Sequence, residues 1–98
     1  MDTQEFLETI NLWTQSYREK RDPEKDYPPA EDPDGKKWEE NMIKIASIIT
    51  PADSIQGTPA LEKVNKAVQL SKEKDPSKLD QIYKHLHDVE EYLKSSLE

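Results

Sequence analysis

The sequence predicts an all-α protein, a small up-and-down bundle of three to four helices with an acidic, proline-rich loop between the first two. Three observations carry that prediction. Apolar residues recur at spacings of three and four in successive segments. No segment shows the two-residue alternation of a strand. Residues 22–34 (DPEKDYPPAEDPD) interrupt the helical pattern with six carboxylates, one lysine and four of the chain's seven prolines. Such a segment buries little apolar surface and cannot continue a helix. The 98 residues therefore read as one domain. Within it, an amphipathic helix occupies 1–20, a linker 21–34 and a helical core 35–98.

In the first helix, Phe6, Ile10, Trp13 and Tyr17 follow one another at spacings of four, three and four, within a stripe about 60° wide. Asp2 is placed to cap it, with Glu5 reaching back in the manner of a capping box. Leu7 and Leu12 fall off the stripe and suit contact with a second surface. The second helix is expected over about 35–50, with Asp32 or Asp34 as its cap and Pro33 near its first position. Its apolar residues, Trp38 through Ile49, spread over more than half the circumference, so it is expected at the centre of the bundle.

Thr50-Pro51 and Thr58-Pro59 each pair a capping residue with a proline suited to a first turn, and Gly57 can end a short turn between them. The third helix, ending near Lys74, carries Leu61, Val64, Ala67 and Val68 on one face. Asp75-Pro76 opens the fourth, where Leu79, Ile82, Leu86, Val89 and Leu93 form an uninterrupted heptad seam. Acid-first pairs such as Glu62–Lys66 and Glu90–Lys94 are expected on solvated faces. The seam also suits completion of a small core by a second copy, which makes homodimerisation an expectation worth testing.

The charge is unevenly placed. Residues 1–34 hold four basic and ten acidic side chains, net −6 of the chain's −7. Such a field repels phosphate backbones, so nucleic acid is not an expected ligand. With no cysteine there is no thiolate nucleophile, disulfide framework or cysteine-based zinc site. The opening residues lack the basic region and apolar stretch of an export signal, and no apolar run approaches the ~20 residues that span a bilayer. A soluble, cytoplasmic protein without a membrane association is the expectation.

The linker invites comparison with a calcium loop, because Asp32, Asp34 and Gly35 occupy suitable relative positions. The register fails at Ala30, Lys37 and Asn41, where a first ligand, an apolar anchor and a bidentate carboxylate belong. His85 and His87 lie two apart, on opposite flanks of a helix, and each has one nearby carboxylate, Asp88 and Glu91 respectively. Two-ligand sets do not make a metal site. No phosphate-binding glycine loop and no activated nucleophile is present, so no catalytic, metal or cofactor residues are assigned.

What remains are binding surfaces. The stripe Phe6, Ile10, Trp13 and Tyr17 is either core, if the first helix folds back, or the anchor row of a tethered recognition helix. The carboxylates Asp22, Glu24, Asp26, Glu31, Asp32 and Asp34 suit a partner with a basic surface. The leading expectation is a non-catalytic regulatory protein that binds another protein through this helix or this acidic surface. The alternatives are an acidic, immunity-type inhibitor that imitates nucleic acid, and a helical enzyme or metal protein of another kind.

Overall fold

The computed structural model describes residues 2–21, 28 and 31–97. Four helices make up the bundle: α1 (Thr3–Lys20), α2 (Pro33–Ser47), α3 (Pro59–Lys72) and α4 (Leu79–Leu97). Short 3-10 turns at Asp53–Ile55 and Pro76–Lys78 precede α3 and α4, and the described residues contain no strand. None of these helices is long and apolar enough to cross a membrane.

α1, α2 and the turn that leads into α4 each begin where an aspartate satisfies the first amide groups. Asp2 accepts from the Gln4 amide at 2.8 Å, and Asp32 from the Gly35 amide at 2.6 Å, with Pro33 in the first turn of α2. Asp32 is thus the cap of α2, rather than Asp34. Thr58 precedes α3 without a side-chain cap; its hydroxyl instead donates to the Ile55 carbonyl at 2.6 Å. Asp75 accepts from both the amide and the hydroxyl of Ser77, and these bonds hold its carboxyl below the usual carboxylate range. Gly57 takes φ 77°, a left-handed conformation that suits glycine in the turn before α3.

Helix directions alternate along the chain. Thr14 meets Glu90 while Arg18 meets Tyr83, so α1 and α4 are antiparallel. Trp13 meets Met42 while Arg21 meets Glu39, so α1 also opposes α2. Lys63 meets Asp88 while Lys66 shares a groove with Gln81, which sets α3 against α4. This is the small all-α bundle that the hydrophobic spacing predicts.

The centre of the bundle differs from expectation. α4, not α2, is the core element: Leu79, Ile82, Leu86, Val89 and Leu93 are all buried, and the helix packs on each of the other three. Its seam is therefore filled by this chain's own helices. α2 buries Met42, Ile43 and Ala46 but leaves Ile45 and Ile48 exposed. The helix stops at Ser47; Ile49, seven residues after Met42, still turns inward, whereas Ile45 and Ile48 share the outer side.

The aromatic stripe is part of this core. Phe6, Ile10, Trp13 and Tyr17 are each at most 2% exposed, so helix 1 is the fourth member of the bundle. Trp13 stacks on Tyr17 at 6.0 Å between ring centres, and Tyr17 on Tyr83 at 4.6 Å. The indole Nε1–H of Trp13 donates to the Met42 carbonyl at 2.9 Å, which pins α1 to α2. At the other end of α1, the hydroxyls of Thr3 and Ser54 are 2.6 Å apart.

Candidate functional site

Three regions of the bundle concentrate polar chemistry or exposed apolar surface. The first is the seam between α1 and α4. Glu90, expected on a solvated face, is 1% exposed because α1 packs over it. The Thr14 hydroxyl donates to its Oε2 at 2.7 Å. Its Oε1 faces Lys94 Nζ at 3.5 Å, His87 Nδ1 at 3.7 Å and Arg18 Nη1 at 3.9 Å. Arg18 also donates to the Tyr83 hydroxyl at 3.3 Å, and His87 stacks on Tyr83 at 5.7 Å. Both oxygens of Glu90 are therefore engaged, and the network ties α1 to α4.

Sequence reasoning gave His87 a single carboxylate; the fold gives it two. His87, Glu90 and Glu91 bring one ligand atom each to within 4.8 Å of one another. The signal that was missed is the i to i+3 spacing of His87 and Glu90. An added cation would, however, share Glu90 Oε1 with the ammonium of Lys94 and the guanidinium of Arg18. Glu90 is already charge-compensated, which leaves only His87 and Glu91 uncontested, and two ligands do not make a metal site.

A second buried carboxylate, Glu39, accepts from Arg21 Nη2 at 2.8 Å, and the Arg21 guanidinium lies 5.2 Å from the centre of the Trp38 ring. This pair closes the α1–α2 end of the core. The expected acidic surface is described only in part. Glu31, Asp32 and Asp34 are exposed, with Asp32 engaged as a cap, whereas Asp22, Glu24 and Asp26 lie outside the described residues.

The third region is the outer face of α1 and α2. Among the described residues, the large hydrophobic ones left exposed are Leu12 at 65%, Ile45 at 45%, Ile48 at 71% and Tyr92 at 37%. Two adjoining grooves, of about 230 and 180 Å³, bring the first three together, because Thr9 and Ile45 line both. Trp13 and Met42 help to line the larger groove. Of the two residues that fell off the aromatic stripe, Leu7 packs against the core and Leu12 lies here; Ile45 and Ile48 were expected to be core. The stripe itself faces inward and does not form this surface.

A separate groove of about 580 Å³ lies between α2 and the end of α3, with Ile43, Ser71 and Pro76 among its lining residues. Lys44, Lys72 and Lys74 are at its rim, and Lys74 has φ 55°, a conformation that favours glycine. Lys44 and Lys72 occupy last turns of helices, where cations complement the helix dipole.

His85 is expected to give the bundle a pH response. Partial burial pushes its pKa below the usual histidine value, and Lys63 and Lys66 on α3 add to this, while Asp88 on its own helix opposes it. A lowered folded pKa means that the unfolded chain takes up the proton first. Stability should accordingly be lost as pH falls below the unfolded value of about 6.5. Chemical denaturation at pH values on either side of it should show the intact protein losing more stability on acidification than His85→Gln. Parallel pH profiles would contradict the assignment.

The fold and these regions define a small all-α bundle with an exposed apolar face. No family model, curated protein or solved structure matches the chain.

Proposed function

We propose that this is a non-catalytic interaction protein that binds another protein through the outer face of α1 and α2. The observation that supports the reading is the grouping of Leu12, Ile45 and Ile48 around two continuous grooves. Exposed apolar residues scattered singly need no explanation, whereas three grouped around grooves and framed by polar residues favour a contact surface. Polar and charged residues frame this one, including the exposed Glu8 and Asn41. The reading is non-catalytic because the best-organised polar cluster, around Glu90, is engaged in holding two helices together.

Affinity capture from a source lysate tests this. Proteins retained by the intact chain should be lost with the double variant Leu12→Glu, Ile48→Asp and kept with Tyr92→Asp, a control on the exposed side of α4. Substitutions at positions as exposed as Leu12 and Ile48 shift stability by only about 0.5 kcal/mol, and matched melting curves verify that all three proteins are folded. Equal retention by all three would place the interface elsewhere and overturn the proposal.

A further inference from the structure

We infer that the occupant of the α1–α2 face is an amphipathic helix with basic flanking residues, an inference that rests on the interaction reading proposed above. The first ground is shape. Along α1 the two grooves run from Phe6 to Ser16, about 15 Å at 1.5 Å per residue. That length accepts two to three turns of a helix, the span over which anchors at i, i+3 or i+4, and i+7 enter a groove. The floor is held in place by the Trp13 to Met42 hydrogen bond, so the groove exists before a ligand arrives.

The second ground is charge. Leu12 shares its side of α1 with Glu5, Glu8 and Glu19, which lie seven and four residues before it and seven after it. All three are exposed, and none forms an ion pair among the described residues. The α1 lip of the groove therefore carries three uncompensated carboxylates beside its most exposed leucine. Lysine or arginine residues on the flank of an incoming helix that faces α1 would meet them, while the α2 side presents the exposed Lys37 and Lys44 to its other flank.

A second copy of this chain is the less suitable occupant. Each copy brings a net charge of −7 and the same acidic lip. Pairing two such molecules opposes like charges, whereas a basic helix is drawn toward the face from solution.

A labelled peptide of leucine and lysine alone tests the inference. It is about 15 residues long, with leucines at helical anchor positions, and is compared with the same design in leucine and glutamate. Fluorescence anisotropy on the intact protein should show the basic peptide binding and the acidic one failing to bind. Ile48→Asp should weaken binding by about tenfold or more, because it puts a carboxylate where one of the two grooves offers an apolar contact. The triple variant Glu5→Gln, Glu8→Gln, Glu19→Gln should weaken it several-fold, mainly below about 0.1 M salt, where screening is incomplete.

Equal binding of both peptides, or binding indifferent to Ile48→Asp, would overturn the inference. So would a failure of both peptides to bind. Light scattering supplies the remaining arm: a dimer that Ile48→Asp dissociates would give the face to a second copy. That result overturns the basic helix while leaving this surface as an interface. Loss of the lysate interaction in the capture experiment is read separately, so the two proposals fail in different ways.

Discussion

A chain lacking residues 1–34 is expected to have no cooperative unfolding transition. The deletion removes Phe6, Ile10, Trp13 and Tyr17, four side chains at most 2% exposed, from a core that has no other layer to replace them. At roughly 1.5–3 kcal/mol for each large apolar side chain buried, the loss is about 6–12 kcal/mol. Small domains are stable by only about 5–15 kcal/mol in total. Removal would also uncover Tyr83 and Glu90 on α4 and take away the Thr14 donor to Glu90. Far-ultraviolet circular dichroism during urea titration measures this directly. A sigmoidal transition in the shortened chain, with the helix content of α2, α3 and α4 retained, would show that α1 is dispensable to the bundle.

Trp13→Ala should produce the largest effect of a single substitution. Its indole is 2% exposed, stacks on Tyr17, and spans the α1–α2 contact through the Met42 carbonyl. Replacement of a buried aromatic by alanine costs about 3–5 kcal/mol through lost burial and the cavity left behind. In a domain of this size each kcal/mol lowers the melting midpoint by roughly 4–8 °C. Trp13→Phe retains an aromatic ring but not the N–H donor, so it should fall between the two. A melting midpoint for Trp13→Ala within a few degrees of the intact protein would remove Trp13 from the core, and with it the rigid floor of the groove.

Much of this architecture is legible in the amino-acid order. The spacing of Phe6, Ile10, Trp13 and Tyr17 marks α1, and the heptad of Leu79 through Leu93 marks α4, because helical periodicity survives whatever packs against it. Asp2 and Asp32 announce helix starts through chemistry confined to a few residues. What escapes a reading of sequence depends on which helix lies against which. The stripe on α1 has the same pattern whether it meets its own bundle or a partner's groove. Only the docking of α1 on α4 settles that, and the same docking buries Glu90. The position of α2 escapes for a different reason. Ile45 and Ile48 count toward a wide apolar circumference whether or not a helix covers them, and here they share the outer side. Leu12 was identifiable as a residue with no place on the buried stripe, but its companions Ile45 and Ile48 were not.

The proposed binding face requires α1 as a member of the bundle, since α1 contributes Leu12, the floor residue Trp13 and the acidic lip. Native-state amide hydrogen exchange on the intact chain is the most direct test of that condition. Amides of residues 10–17 in α1 should open with the same free energy as those of residues 82–93 in α4, the signature of one cooperative unit. Near-unprotected exchange in α1 beside strong protection in α4 would make α1 a tethered arm, free its aromatic stripe, and contradict the account.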